Sequence, residues 1–321
     1  MIDSGDVSPI ARRLSGVLVE VVSVERLRFD DGAPVRAASA VVPFAGGSLV
    51  VPDDATHGAW FRGSSVTAVR LLPPTGGHEL FSDATGTKHL KPDLEAACHL
   101  SVEGGPAALI MGSGSSPARM RWVLLQLEHG EPRPRVADMT PLYANVANAL
   151  SLTPEDLNLE GVCVVGDVLR WYQRGLPSAG LPSGSVDMDL DTALAAVMGR
   201  VEPSAVAVTG PRTYDLGAVA GVGLAITDVV ALHDGMLLAS AAAEDSPNPR
   251  DDGPVVASCL VRLDDTAVTE VVPLPPVGGA VIKVEGLMVL EGHQDGALLL
   301  AVADVDNPDA ASLATRMLVR F

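Results

Sequence analysis

Aromatic residues, basic residues and cysteines are all scarce in this chain of 321 residues. Aromatics make up 3% of the sequence, so its 47% hydrophobic content comes mostly from Val, Ala and Leu. Lys and Arg total 22 against 40 Asp and Glu, which gives a net charge of −18. Such a surplus of negative charge repels phosphate backbones and anionic lipid, so we expect neither nucleic acid nor a membrane as a partner.

Long apolar segments are missing as well. No apolar run reaches the ~20 residues that span a bilayer, and the first residues, MIDSGDVSPIARRLSG, lack the apolar core of a signal peptide. The three cysteines, Cys98, Cys163 and Cys259, are odd in number and far apart. This arrangement favours reduced thiols over a disulfide framework. We therefore expect a cytoplasmic globular protein.

The motifs of several common enzyme classes are also absent. The sequence has no GxSxG elbow, HExxH helix or CxxC pair, which argues against an α/β-hydrolase, a zincin and a thiol redox site. A GSGSS segment begins at Gly112, and its backbone N–H groups can cradle an anion, with Ser113 and Ser115 as candidate substrate-binding residues. No Lys follows it, so it is not a P-loop, and a plain tight turn is the alternative.

One pattern recurs five times along the chain: a polar residue followed by a run of small and apolar residues. The five segments are AASAVVPF from Ala37, DLEAACHL from Asp93, NLEGVCVV from Asn158, ITDVVALH from Ile226 and KVEGLMVL from Lys283. Their alignment places five polar residues in equivalent positions, about 55 to 70 residues apart: Ser39, Glu95, Glu160, Asp228 and Glu285. A repeat of this length indicates a propeller or a related array.

Each unit continues with turns and further short strands, up to four in all, which is typical of a β-propeller. We predict an all-β, five-bladed β-propeller as one domain over residues 1–321, with six blades as the alternative. The units start near residues 37, 93, 158, 226 and 283. The last unit ends after its third strand, so residues 14–24 are predicted to add the fourth strand and close the ring. Residues 189–199 have helical spacing and predict an inserted helix.

The predicted topology gathers polar side chains at one end of the central channel. There the aligned residues form a ring, and carboxylates so close together raise one another's pKa unless a cation is bound. Because every donor is an oxygen and the ring is wide, Ca²⁺ is the expected metal. The predicted ligands are Ser39, Glu95, Glu160, Asp228 and Glu285. Two alternatives stay open: Thr227 can face the channel instead of Asp228, and the channel can be acidic and solvated without a metal.

Further candidates lie in the loops at the same end of the channel. Glu160 or Asp304 can activate water as a general base, and Arg174 can hold an anionic substrate beside the cation. The candidate substrate-binding residues are Asp53, Ser113, Ser115, Glu244 and Lys283. For Arg174 and Lys283, structural ion pairs with Asp93, Glu244 or Asp304 are the alternative interpretation.

Several ordered segments resemble a bacterial family of propeller-like proteins of unknown function. They include KPDLEAA from Lys91, LNLEGVCV from Leu157, ITDV from Ile226 and KVEGL from Lys283. The order Ser, Glu, Glu, Asp, Glu more remotely resembles the calcium-activated apyrases, five-bladed nucleotidases that hold Ca²⁺ in the central tunnel. That resemblance maps a serine and an Asp-Asp pair of the apyrases onto Ser39 and Asp53–Asp54. The strictosidine-synthase, gluconolactonase and phytase-like propellers carry a similar arrangement of acids.

Two functions are consistent with these observations. The first is a Ca²⁺-dependent hydrolase of a small phosphoester, phosphoanhydride, ester or lactone, with a small anionic molecule as its substrate. The second is a non-catalytic propeller in which the cation is structural and the rim binds a peptide or protein partner. A propeller fold alone does not choose between them.

Overall fold

Five small antiparallel sheets make up most of the structure. The structure, a computed structural model, describes residues 16–103, 105–232, 235–246, 248, 253–305, 307 and 310–321, together with the backbone of residues 12–14. Within these residues the five sheets form a five-bladed β-propeller. The predicted all-β, five-bladed fold is therefore confirmed, and the six-bladed alternative is wrong.

The first three blades have four strands each and follow two N-terminal strands. The chain begins with β1 (Arg12–Leu14) and β2 (Val17–Arg26). Blade 1 contains β3 (Ala38–Phe44), β4 (Gly47–Pro52), β5 (His57–Arg62) and β6 (Ser65–Arg70). Blade 2 contains β7 (Leu94–Val102), β8 (Gly105–Gly112), β9 (Arg121–Glu128) and β10 (Glu131–Asp138). Blade 3 contains β11 (Leu159–Val165), β12 (Val168–Gln173), β13 (Ser183–Asp189) and β14 (Thr209–Tyr214).

The last two blades each have five strands. Blade 4 contains β15 (Ala218–Val219), β16 (Val222–Ala231), β17 (Leu237–Glu244), β18 (Val255–Leu263) and β19 (Val268–Pro273). Blade 5 contains β20 (Lys283–His293), β21 (Gly296–Asp304) and β22 (Leu313–Arg320), with β2 and β1 on its outer side. Single 3₁₀ turns lie in the loops at Lys88–Leu90, Pro117–Arg119, Pro154–Asp156, Pro177–Ala179 and Pro203–Ala205.

The N-terminal strand closes the ring as predicted. Strand β2 pairs antiparallel with β22, with Val19 opposite Val319. Strand β2, near the N-terminus, thus belongs to the same sheet as β22, the last strand of the chain. This pairing covers the edge that β22 would otherwise expose to pairing with another chain.

Two α-helices lie in the described part of the chain, one predicted and one not. The predicted insertion is α2 (Leu190–Val197), whose N-cap is Asp189: its carboxylate accepts a hydrogen bond from the Thr192 N–H at 2.8 Å. The other helix is α1 (Thr140–Ala149). No helix among the described residues is both long enough and apolar enough to span a membrane.

Large apolar side chains fill the spaces between neighbouring blades. Trp122 of blade 2 packs edge-on against Trp171 of blade 3, with ring centroids 5.2 Å apart. Tyr143 of α1 packs against the same Trp171 ring at 4.9 Å. Three of the eleven aromatic residues thus meet at this boundary, while Val, Ala and Leu make up most of the other apolar clusters.

The innermost strands surround a central channel. Strands β3, β7, β11, β16 and β20 contact one another in that order, and β20 returns to β3. The free cysteines Cys98 and Cys163, on β7 and β11, are buried in the apolar clusters between blades. This ring of strands positions the polar residues at the mouth of the channel.

Candidate functional site at the mouth of the channel

The innermost strand of every blade carries a β-bulge at the position of the aligned polar residue, or one residue before it in blade 4. In each bulge one residue is skipped in the pairing with the second strand of the blade. The skipped residues are Ser39, Glu95, Glu160, Thr227 and Glu285. A bulge leaves its extra residue out of the ladder and re-aims the side chain. The sequence repeat therefore corresponds to a real structural repeat.

In blade 4 the alignment from sequence is wrong by one residue. The bulge residue there is Thr227, whose hydroxyl donates to the Val284 carbonyl oxygen at 2.6 Å. Asp228 lies one residue further along, and its two carboxylate oxygens accept the backbone N–H groups of Val229 at 2.8 Å and Leu287 at 2.7 Å. These bonds tie Asp228 to the backbone of blade 5. We therefore remove Asp228 from the set of candidate metal ligands.

Polar residues from all the blades line a small cavity of about 70 Å³, which we call the mouth cavity. Its described carboxylates are Asp53, Asp93, Glu95, Glu160, Glu285 and Asp304. Its described cations are Lys88, Lys91, Arg119, Arg174 and Lys283. The charges are nearly balanced, so the mouth is a mixed-charge site and not the purely acidic ring that the repeat predicts.

Backbone hydrogen bonds within and between blades 1 and 2 fix the positions of several of these side chains. The Asp53 N–H donates to the Ala37 carbonyl oxygen at 3.0 Å, and the Asp93 N–H donates to that of Asp53 at 3.1 Å. The Ser113 N–H donates in turn to the Asp93 carbonyl oxygen at 2.9 Å. Asp93 also has a left-handed backbone (φ 56°) just before β7. Non-glycine residues rarely adopt this conformation, and it occurs often at functional sites.

Asp93 is the most heavily paired carboxylate on the side of blades 1 and 2. It accepts hydrogen bonds from the Arg119 guanidinium at 2.8 Å and from the hydroxyls of Ser113 and Ser115, and it pairs with Lys91 at 3.1 Å. Burial alone would raise the pKa of Asp93, but Lys91 and Arg119 outweigh burial and lower it. Asp93 is therefore ionised at neutral pH.

Glu244 has the same role on the side of blades 3 to 5. Its Oε2 accepts from Arg174 at 2.7 Å and from Lys283 at 2.8 Å, and its Oε1 accepts from the Ser246 hydroxyl and the Gly253 N–H, both at 2.8 Å. Burial opposes ionisation, but the two cations outweigh it and lower the pKa of Glu244 to about 2. Glu244 thus anchors both cations.

Glu160 has one occupied carboxylate oxygen and one unpartnered one. Its Oε1 accepts from Asn158 at 2.7 Å and from Arg174 at 2.9 Å. Its Oε2 is buried and has no hydrogen-bond partner among the described residues. Burial, only partly offset by Arg174, raises the pKa of Glu160 to about 7. A carboxylate of this kind can take up and release a proton near neutral pH.

Asp53, Asp93 and Glu95 form a group that can hold a metal ion. Each offers a carboxylate oxygen, and these atoms lie within 4.8 Å of one another. The Oδ1 atom of Asp53 is buried without a hydrogen-bond partner in the described part of the chain, while its Oδ2 pairs with Lys91. Burial raises the pKa of Asp53 to about 7, and burial together with Asp93 and Asp53 raises that of Glu95 well above its usual range. A cation would favour the ionised forms of both.

Comparison with known proteins places the chain in a family. Residues 87–308 match the sequence model of a family of unknown function (DUF6910). The chain belongs to this family. The match includes the candidate residues of blades 2 to 4, Lys283 and Glu285, while Ser39 and Asp53 of blade 1 lie outside it. No curated protein matches the sequence.

Solved structures of similar fold are distant from this member of the DUF6910 family. Glutaminyl cyclase of Myxococcus xanthus has 12% identity and a TM-score of 0.47, with 94% of this chain and 97% of that chain covered. MPT-4, a mannose phosphorylase of Leishmania mexicana, has 14% identity and a TM-score of 0.48, with coverage of 94% and 89%. The extracellular domain of BT4673 of B. thetaiotaomicron has 7% identity and a TM-score of 0.37, with coverage of 88% and 28%. Likeness this low transfers no activity to the DUF6910 chain.

The structure brings most of the predicted site residues together. Those that line the mouth cavity are Ser39, Asp53, Glu95, Glu160, Arg174, Lys283, Glu285 and Asp304. Four others do not line it. Ser113 and Ser115 are buried beside Asp93, Glu244 is buried beside Arg174 and Lys283, and Asp228 is bound to the backbone of blade 5. These four position other groups and do not face a ligand in the cavity.

Sequence reasoning also missed some residues of the cavity. Asp93 is not among the predicted metal ligands, although alternation along a strand predicts the same orientation for it as for Glu95, two residues later. In the structure Asp93 has a left-handed backbone just before β7, and it belongs to the carboxylate group. Lys88 and Asn248 also line the cavity, and no repeat or motif identifies them. Both residues lie between strands, and the repeating strand pattern does not predict the conformation of these segments.

Proposed function

We propose that this protein is a Ca²⁺-dependent hydrolase that acts on a small phosphoester, phosphoanhydride, ester or lactone at the mouth of the channel. One observation carries the proposal: Glu160 presents a buried, unpartnered oxygen in the same cavity as the carboxylate group Asp53, Asp93 and Glu95. A water-activating base and a candidate metal site therefore lie side by side.

The donor set fits a calcium ion. Asp53, Asp93 and Glu95 supply three hard oxygen donors, the type that Ca²⁺ prefers. The Asp53 Oδ1 atom is buried and accepts no hydrogen bond from any described residue, and burying such an oxygen without a partner is costly. When bound, Ca²⁺ would polarise a phosphoryl or acyl oxygen of the substrate.

Glu160 is the best general base of the site. Arg174 and Asn158 hold its Oε1, which fixes the carboxylate and leaves Oε2 available to a water molecule. A base works best when its pKa is close to the working pH, and the pKa of Glu160 is about 7. Asp304 lines the same cavity and is a second candidate base, although its Oδ1 already accepts the Val305 N–H at 2.8 Å.

Arg174 and Lys283 give the cavity its affinity for a small anion. Both line the cavity, and both are held from behind by Glu244. Because they are fixed before binding, a phosphate or carboxylate group of the substrate would meet preorganised donors. An anionic small molecule as the ligand and a cytoplasmic location both stay predictions of this proposal.

A second function is favoured by the extensive pairing of these cations. Lys91, Arg174 and Lys283 all form ion pairs with carboxylates of the mouth. Such extensive ion pairing is also expected where the charged side chains serve only to stabilise the fold. In that case the protein is a non-catalytic propeller with a structural cation, and its rim binds a peptide or protein partner.

Calcium titration and turnover assays on matched variants separate the two functions. We expect one Ca²⁺ per wild-type chain by calorimetry, lost in Glu95→Gln and retained in Glu160→Gln and in the exposed control Glu291→Gln. Hydrolysis of phosphoesters and lactones should be lost in Glu160→Gln and unchanged in Glu291→Gln. Calcium binding without turnover would favour the non-catalytic propeller. Failure of the wild type to bind calcium, or full turnover by Glu160→Gln, would refute the proposal.

A further inference from the structure

A second, larger cavity lies beside the mouth, between residues 29–36 and blade 1. We call it the blade 1 groove; its volume is about 760 Å³. Its walls include Phe29, Val66 and Leu80, and it is lined mainly by apolar atoms. Leu80 is 49% exposed and is therefore accessible to a ligand in the groove. Grooves of this size and character are typical of sites for small organic ligands.

The groove adjoins the mouth cavity at two consecutive residues of the loop after β4. Asp53 lines the mouth cavity, and the next residue, Asp54, lines the groove. Their Cα atoms are ~3.8 Å apart, as in any trans peptide. Asp54 pairs with Arg36, also in the groove, at 2.8 Å. Burial raises the pKa of Asp54, and this rise is partly offset by Arg36 and by Lys91 of the mouth. The two cavities therefore adjoin at residues 53 and 54, and a single molecule that occupied both would pass these two residues.

The charges of the two cavities differ. The groove is lined by Asp30, Asp31 and Asp54 against a single guanidinium, that of Arg36, which already pairs with Asp54. An anionic group would be repelled there, whereas the mouth cavity offsets its six carboxylates with five cations and would gain positive charge from the proposed Ca²⁺. A substrate with one anionic end would thus place that end in the mouth and its neutral part in the groove.

Two aromatic side chains in the groove wall make an aromatic ring a suitable neutral part. The rings of Phe29 and His57 lie side by side in the groove, with centroids 5.9 Å apart and planes inclined at 46°. Aromatic rings prefer tilted or offset partners of this kind. Burial and the neighbouring Arg70 lower the pKa of His57, so its ring is neutral at pH 7.

We infer that the blade 1 groove binds a neutral aromatic group of the substrate, so that the hydrolysed bond is an aryl ester or aryl phosphoester. The inference rests on the proposed function for the nature of the bond, but the binding of the aromatic group does not depend on catalysis. Leu80 and Phe29 would contact the ring, and the mouth cavity would hold the anionic group.

The binding test uses 2-naphthol, a neutral and fluorescent aromatic alcohol, with Ca²⁺ and inorganic phosphate present. We expect Leu80→Gln to weaken its binding about tenfold, since the substitution removes most of one apolar wall. Val281→Gln is the matched control, because Val281 is 44% exposed and lies outside the groove; it should bind like the wild type. Cyclohexanol should bind at least ~10-fold more weakly than 2-naphthol, because it lacks the aromatic faces that the Phe29 and His57 rings would contact.

The kinetic test compares phenyl phosphate with methyl phosphate. The wild type should prefer phenyl phosphate about tenfold or more in kcat/KM, and Leu80→Gln should lose most of this preference. If neither ester is hydrolysed but 2-naphthol binding depends on Leu80, the proposed function fails and the groove remains an aromatic site. If 2-naphthol does not bind, binds Leu80→Gln as tightly as the wild type, or binds no more tightly than cyclohexanol, the inference is overturned whatever the activity.

Discussion

Replacing Glu160 by glutamine should stabilise the protein at alkaline pH. Glu160 is 5% exposed and its pKa is raised from 4.5 to about 7, chiefly by burial. The folded state therefore holds a proton that the unfolded state releases. The stability that this proton contributes is fully present below pH 4.5 and is lost as the pH rises through 7. Glutamine resembles the protonated side chain and does not titrate.

The expected magnitude follows from the pKa difference. One pKa unit corresponds to ~1.36 kcal/mol, so raising the pKa from 4.5 to about 7 makes a difference of about 3 kcal/mol. We expect Glu160→Gln to lie within about 1 kcal/mol of the wild type in its free energy of unfolding at pH 5. At pH 8 the variant should be more stable by about 3 kcal/mol, because the wild type must then bury an ionised carboxylate with one unpartnered oxygen.

Urea unfolding between pH 4.5 and 8.5, followed by circular dichroism in the presence of a chelator, measures this difference directly. The curves of the two proteins should diverge as the pH rises above 5. The control Glu291→Gln, which changes an exposed glutamate, should follow the wild type throughout. Parallel curves for wild type and Glu160→Gln would refute the reasoning. A variant less stable than the wild type at pH 8 would show instead that the Arg174 ion pair outweighs the burial of Glu160.

Three further changes test other parts of the structure. Glu244→Gln should cost about 3 kcal/mol at pH 7, because it removes one partner of a buried ion-pair network; urea unfolding beside Glu291→Gln measures it. The pKa of Glu244 is about 2, so wild-type stability should also fall as the pH drops from 4.5 towards 2, and this fall should be smaller in Glu244→Gln. Gly286→Ala should cost about 1 to 3 kcal/mol, since its new Cβ would lie 2.8 Å from the Ala40 Cα atom of blade 1. Gly105→Ala, whose Cβ would meet nothing closer than 3.7 Å, should change the melting temperature far less.

The number of blades was predictable because the repeat sits in the innermost strands. There the same bulge recurs with the same kind of residue, and the small and apolar residues after it face neighbouring blades. Closure by the N-terminal strand followed from counting the strands of the last unit. Helix α1 was missed, although Leu142, Tyr143, Val146 and Ala147 have helical spacing and are buried. Pro141 in its first turn was a further indication.

The candidate site was less predictable, and the reasons are physical. The position of Asp228 depends on which residue of blade 4 is skipped in the bulge, and the sequence Ile-Thr-Asp allows either register. Whether Glu160 meets a cation depends on Arg174, which follows β12, and on Glu244, which lies at the end of β17 in the next blade. Such contacts between blades are set by the closure of the ring. They leave no spacing pattern within one unit.

The arrangement of the mouth indicates why a binding site belongs there. A closed ring of blades is stabilised mainly by the apolar clusters between them, so the fold does not require unpaired polar atoms at the mouth of the channel. Glu244 and Asp93 are fully paired, which shows that this chain can satisfy buried carboxylates in the same region. Asp53 and Glu160 nevertheless each keep one buried oxygen without a partner among the described residues of the same mouth. A binding site is expected to contain such unpartnered oxygens, because the bound ligand supplies their hydrogen-bond or metal partner.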